Sequence, residues 1–231
     1  MQNLLKIGAH GRYGAFARAR NRIIAIATTF MMLTGTSYAE PTTIAALGDS
    51  LTQGYGLPAD QGFVPQLDRW LTAQGADVTM INAGVSGDTT AGGLSRIDWT
   101  LTDDVDALIV ALGGNDVLRG IPPETARANL AGILDRAAAR DLPVLLIGIT
   151  VPANYGPDYQ SAFTAIYPDL AADYDALLYP NFLSALTADT DLDTAFKTLM
   201  QPDGIHPNAD GVAKIVNDLS PHVLTLIEQG R

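Results

Sequence analysis

The stretch Thr43-Ile44-Ala45-Ala46-Leu47-Gly48-Asp49-Ser50-Leu51-Thr52 carries the first decision about the fold. Thr43 to Leu47 reads as a strand that ends at Gly48. The chain then turns from strand to helix at Ser50, a position that exposes a hydroxyl where helix N-terminal amides favour negative charge. Downstream, Val64, Leu67 and Leu71 have helical spacing and stop at Gly75. A second strand is expected over Val78 to Ile81 and a third over Ala107 to Leu112. The third is an uninterrupted apolar run of the kind covered on both faces. Glu124 to Arg140 is an amphipathic helix with Leu130, Ile133, Leu134 and Ala137 on one side, and Val144 to Ile149 is a fourth strand. A helix from about Tyr159 to Asp173 precedes a weak fifth strand near Ala176 to Tyr179. A last helix runs from near Asn208 to about Glu228, broken or kinked at Pro221.

Such strand–helix alternation specifies an α/β fold, a parallel sheet with helices on both faces. Open sheets of this kind bind ligands at the carboxyl ends of their strands. The loops to inspect therefore follow Leu47, Ile81, Leu112 and Ile149, and three of the four gather polar and glycine-rich residues.

The composition narrows the chemistry. The chain has 231 residues, enough for one ordinary domain, and its hydrophobic fraction of 47% excludes wholesale disorder. With no Cys there is no disulfide framework and no thiolate nucleophile. A formal charge of -11 argues against a nucleic-acid partner, which needs Lys and Arg against phosphate. Positive charge concentrates in residues 1–39, which hold Lys6, Arg12, Arg18, Arg20 and Arg22 and no acid. An apolar run from Ile23 to Leu33 follows, too short to span a bilayer, then small residues with Ser37 and Ala39 placed for cleavage. Residues 1–39 are thus expected to be an export signal cut after Ala39, leaving a single domain over residues 40–231 with no stable membrane span. Without its five cations the mature chain would hold 9 basic against 25 acidic residues, a net of -16.

Four segments carry candidate chemistry: Gly48-Asp49-Ser50-Leu51-Thr52, Asn82-Ala83-Gly84-Val85-Ser86-Gly87-Asp88, Gly113-Gly114-Asn115-Asp116 and Asp203-Gly204-Ile205-His206-Pro207. A serine hydroxyl is a poor nucleophile without a base in reach. Of the three histidines, His10 falls in the signal and His222 beside Pro221, so His206 is the base by elimination. Asp203 can meet its ring through one tight turn, fixing the tautomer and stabilising an imidazolium. Backbone amides of Ser50 and Gly87 and the Asn115 carboxamide are candidate oxyanion donors, one such donor being worth about 2.7–4 kcal/mol in a transition state. Alone, Gly-Asp-Ser is a common turn, Asp-x-x-His a capped helix start and Asn after two glycines a turn former. Their joint occurrence, each in the loop where the fold calls for it, favours catalysis.

These blocks, in this order and spacing, resemble the signature blocks of the SGNH hydrolases, also called GDSL esterases and lipases. Val151-Pro152-Ala153-Asn154-Tyr155-Gly156, Phe163-Thr164-Ala165-Ile166-Tyr167-Pro168 and Asp203 to Asn208 are similar to the bacterial arylesterase, acyl-CoA thioesterase I and lysophospholipase branch. The resemblance implies a flavodoxin-like three-layer α/β/α sandwich with a mainly parallel sheet of about five strands, no cofactor, and frequent export to the periplasm. By position it makes Ser50 the nucleophile, Asp203 and His206 the acid and base, and Gly87 and Asn115 the oxyanion donors. Gly87 rather than nearby Gly84 is chosen for its place in Ser-Gly-Asp-Thr.

The expected reaction is two-step acyl transfer on a small-molecule ester or thioester. Leu51, Leu118, Val151, Pro152 and Ile205 suggest an acyl groove rather than a sugar site. Exported protein rarely meets acyl-CoA, which favours esters and lysophospholipids. A carbohydrate O-acetylesterase is the alternative within hydrolases. A small-molecule or phosphate-binding module is the alternative outside them, although a binder has no need of His206 after Asp203 or of Asn115. No metal site and no obligate protein partner are expected. Asp189, Asp191 and Asp193 imitate half a calcium loop, but Thr194 stands where Gly is required and Met200 where an acid is, leaving a solvated acidic loop. The glycine-flanked segment Asp116 to Gly120 reads either as a mobile rim over the acyl chain or as an ordinary connection.

Overall fold

The computed structural model describes residues 40–230; the expected signal at 1–39 lies outside the described residues. Strand β1 spans Thr42–Gly48 and is buried along its whole length. It hands over at Asp49 to a single turn of helix, α1 (Ser50–Gln53), and then to α2 (Phe63–Ala73). The chain continues through β2 (Val78–Gly84), α3 (Thr90–Thr100), β3 (Ala107–Ala111), α4 (Gly114–Leu118), α5 (Pro123–Ala138) and β4 (Val144–Ile147). It closes with α6 (Pro157–Asp173), β5 (Leu177–Tyr179), α7 (Leu192–Leu199) and α8 (Ala209–Gln229).

All five strands are parallel, in the order β2-β1-β3-β4-β5. This is the flavodoxin-like arrangement, and the sandwich has the expected three layers. Alternate β1 side chains point to opposite layers. Ile44 and Ala46 pack with Phe63, Leu67 and Leu71 of α2 and with Ile215, Leu219 and Val223 of α8. Ala45 and Leu47 pack with Ile97 of α3, Leu130, Ile133 and Leu134 of α5, and Phe163 and Leu170 of α6. Burying each large apolar side chain contributes about 1.5–3 kcal/mol, so every apolar position of the strand holds one layer or the other in place. The order reverses at β1, since β2 lies on one side and β3 on the other. Their carboxyl ends, Gly48, Gly84 and Ala111, stand in register. A crevice opens there.

Several local expectations need correction. Pro221 lies inside α8, which runs unbroken to Gln229. Its buried face, Ile215, Val216, Leu219, Val223, Leu226 and Ile227, holds the helix to the sheet and outweighs one lost backbone hydrogen bond. Asp116 to Leu118 is not a loop but the body of α4, with Asp116 fully buried. The acidic stretch at 189–193 is solvated as expected but leads into a helix: Asp191 caps α7 through Thr194 N–H (3.0 Å), and Asp189, ahead of the cap, pairs with Lys214. Helix α3 has no counterpart in the periodicity, because Gly92 and Gly93 dilute its apolar pattern.

Candidate active site

Ser50 opens α1 directly after β1, as the strand-to-helix turn requires. Its neighbour Asp49 caps that turn, Oδ1 accepting from Leu51 N–H at 3.0 Å. Two backbones pass so close here that a side chain would not fit: a Cβ at Gly84 would lie 2.3 Å from the Gln53 nitrogen. Gly84 is therefore a packing position against α1. Gly87, at φ +81°, lines the cleft.

His206 arrives from the other end of the chain, 156 residues away, on a turn tied shut at its base. Met200 and Pro207 form an antiparallel bridge, Gln201 N–H donates to His206 O (2.8 Å), and Asn208 Nδ2 donates to Thr198 O (2.8 Å). Within the turn Asp203 Oδ1 accepts from the Ile205 and His206 amides at 2.9 and 3.0 Å. Its other oxygen meets His206 Nδ1 at 2.7 Å, and His206 Nε2 lies 2.8 Å from Ser50 Oγ. These contacts to the ring and two amides hold the Asp203 carboxyl down at about 2. Because an ionised carboxylate only accepts, Nδ1 carries the ring proton. Nε2 is then free to accept from the serine hydroxyl.

Asn115 comes from α4, its Nδ2 donating to Asp49 Oδ2 at 3.2 Å. The expected five positions, Ser50, Gly87, Asn115, Asp203 and His206, thus converge on one cleft of about 530 Å³ at the carboxyl ends of the strands. Leu51, Leu118, Pro152 and Ile205 line it as expected. Val151 does not: it is buried and packs into the layer of α5 and α6, while its neighbours Thr150 and Pro152 face the cleft. Alternation along an extended segment puts adjacent residues on opposite sides, so only one parity could reach the ligand. His222 is on α8, its ring edge-on to Tyr179 at 5.3 Å, and takes no part in the cleft; His10 lies outside the described residues.

Other residues of the site carry no mark in the sequence. Arg96 donates from Nε to Asp88 (2.7 Å), from Nη1 to Ala83 O (2.8 Å) and from Nη2 to Gly48 O (3.0 Å), tying the ends of β1 and β2 together. Arg119 donates to Gly87 O (2.6 Å), and the Tyr55 ring packs against His206 with centroids 4.7 Å apart. Phe182 and Leu183, beyond β5, close the apolar wall. An arginine in a mixed helix and a short loop after a three-residue strand give no sequence signal. Asp49, by contrast, stands in the Gly-Asp-Ser block beside Ser50.

The sequence pattern of the GDSL-like Lipase/Acylhydrolase family matches residues 46–214. The chain is 38% identical to the protein named Esterase TesA of Pseudomonas aeruginosa over 193 residues, 83% of this chain and 92% of that one. It is 36% identical to the Escherichia coli protein named Thioesterase 1/protease 1/lysophospholipase L1 over 200 residues, 86% of this chain and 91% of that one. Among solved structures, AlinE4, described as an SGNH-hydrolase family esterase, superimposes with a TM-score of 0.66 at 44% identity. The match covers 82% of this chain and 98% of AlinE4. A fold with its crevice at the β1 switch point and these extended likenesses lead to one conclusion: the chain belongs to the GDSL (SGNH) hydrolase family and is an ester-hydrolysing enzyme.

Proposed function

We propose that the chain is a serine esterase working through an acyl-enzyme, with Ser50 as nucleophile, His206 as general base and acid, and Asp203 holding the ring. The observation that carries this reading is the pair of contacts made by one imidazole, 2.7 Å to Asp203 and 2.8 Å to Ser50. Ser50 Oγ attacks the carbonyl carbon while its proton passes to His206 Nε2. The tetrahedral oxyanion faces the Ser50 and Gly87 amides and the second N–H of Asn115. Collapse expels the leaving group with the proton now on Nε2. Water repeats the sequence in deacylation.

The cleft wall is mostly apolar, with Leu51, Val117, Leu118, Ile149, Phe182 and Ile205 facing inward, which suits an acyl chain rather than a sugar. Carboxylic esters, thioesters and lysophospholipids are the proposed substrates, in keeping with the names of the relatives. Export rests on the basic, apolar and small-residue zones of residues 1–39, and no described helix is long and apolar enough to cross a membrane. The test is a hydrolysis panel of p-nitrophenyl esters of graded length, lysophospholipid, palmitoyl-CoA and an acetylated sugar. Ser50→Ala is the control, with fluorophosphonate labelling of the wild type. Turnover of the aromatic esters that vanishes in Ser50→Ala is expected. Unchanged turnover in that variant would end the reading, and a preference for the acetylated sugar would move the substrate to carbohydrate esters.

A further inference from the structure

The Asp49 carboxyl is a buried titratable group that the mechanism above does not use. It is only 4% exposed, yet it sits between the nucleophile's helix and the Asn115 side chain. As a helix cap alone it is a poor choice. Asn and Ser cap as well as Asp, and neither has to bury a charge. Burial pushes this carboxyl up to about 6, with the Leu51 amide, His206 and Asn115 pulling the other way and the Asp88 carboxylate adding to the rise. Arg96 lies nearby, but it is committed to Asp88 and to the carbonyls of Ala83 and Gly48. A buried acid retained at such cost points to a task that needs an acceptor and nothing else.

That task is set by the ambiguity of a carboxamide. Turned one way, Asn115 offers N–H to a developing oxyanion; turned over, it offers a carbonyl oxygen, which repels it. An ionised carboxylate can only accept, so Asp49 Oδ2 admits the Nδ2 side alone, at 3.2 Å. One N–H is spent on Asp49 and its geminal partner is left for the cleft that Asn115 lines. Gly114 keeps the approach open, since a Cβ there would stand 3.3 Å from Asp49 Oδ2. We propose that Asp49 is a positioning residue for the hydrolysis, its carboxylate holding the Asn115 carboxamide with one N–H turned to the oxyanion. The proposal rests on the esterase reading above.

Asp49→Asn separates this role from capping. The substituted carboxamide still caps through its own oxygen, but its NH2 then faces Asn115, which must turn over or lose its partner. Expected for p-nitrophenyl butyrate are a kcat about 10–100-fold lower, approaching the range for losing one oxyanion donor, a KM within about 2-fold, and a melting temperature equal to or above the wild type's. In a cycle with Asn115→Ala, adding Asp49→Asn should cost no more than about a further 2-fold, because both changes remove the same donor. Asp49→Ser, which caps but cannot reach Asn115, should behave the same way. Activity within about 2-fold of wild type, losses that multiply in the double variant, or a lowered melting temperature in both single variants would each overturn the proposal. Ser50→Ala is measured alongside. If it stays active the esterase reading fails, whereas an inactive Ser50→Ala with a fully active Asp49→Asn sinks only the role of Asp49.

Discussion

Arg96→Ala removes one guanidinium and strands three acceptors. Asp88 loses its 2.7 Å partner, and the carbonyls of Ala83 and Gly48 lose donors at 2.8 and 3.0 Å, at the point where β1 and β2 end. The Arg96 and Asp88 side chains are 22% and 15% exposed, so water replaces only part of what is lost. A hydrogen bond to a charged group is worth about 1.5–3 kcal/mol, and a buried acceptor left alone costs about 1–3 kcal/mol. These ranges overlap rather than add, and partial solvation trims them, giving a destabilisation of about 3–4 kcal/mol. At about 2–4 °C per kcal/mol for a domain of this size, the melting temperature should fall by about 6–16 °C. Urea titration should move the midpoint at constant slope, marking a change of stability rather than of the unfolded chain. Arg96→Lys keeps the charge but cannot span three acceptors and should recover less than half of the loss. A melting temperature for Arg96→Ala within about 2 °C of wild type would refute the idea that this side chain fastens the two strand ends.

Gly113→Ala should be costly, because its φ is +124° and the new Cβ would lie 2.1 Å from Tyr167 Oη. That hydroxyl also donates to Leu112 O at 2.9 Å. Loss of at least about 2 kcal/mol in urea unfolding is expected, and a neutral variant would contradict the packing described. The Asp203 carboxyl is held down at about 2 from an ordinary 3.8. A depressed folded value means that its stabilising contribution is present above 3.8 and disappears as pH falls through about 2. Carbon-13 titration should give a midpoint near 2 for Asp203, and a value at 3.8 or above would rule out the contact with His206. Leu118→Asp and Ile205→Asp place charge on exposed apolar positions of the cleft, 61% and 51% exposed. Each should lower kcat/KM for a p-nitrophenyl octanoate more than for the acetate, and equal losses on both esters would remove these residues from the acyl path.

What is legible in the sequence, and what is not, has a physical boundary. β1, β3 and β4 are readable because they are buried on both faces, which demands uninterrupted apolar runs such as Leu108-Ile109-Val110. The segments with Ser50 and Asn115 are readable because glycine and short polar residues cluster where strands end, and the one with His206 because Asp203 and Gly204 mark a tight turn just before it. Helix α3 escapes because its identity comes from tertiary contacts: the cap at Thr89, the Arg96 side chain across two strand ends, and Ile97 in the core. Val151 is misplaced on the cleft wall because parity along an extended segment is set by the register of β4, which the residues alone do not reveal. Pro221 misleads because a local rule, the missing N–H, says nothing of the buried side chains that pin α8 in place. Arg96 and Arg119 act through long flexible side chains onto carbonyls remote in the chain, and no spacing encodes that.

The turn closed by Met200 and Pro207 delivers imidazole and carboxylate as a unit, three positions apart, while the hydroxyl waits 156 residues upstream. A protease that nicks this exposed hairpin, or a local opening that frays it, would therefore take away ring and carboxylate in a single event. On the proposed mechanism, inactivation should then be all-or-none within each molecule, with no population of slow enzyme carrying a misdirected imidazole. Titrating residual fluorophosphonate-reactive protein against residual turnover during limited proteolysis would show the two declining in step.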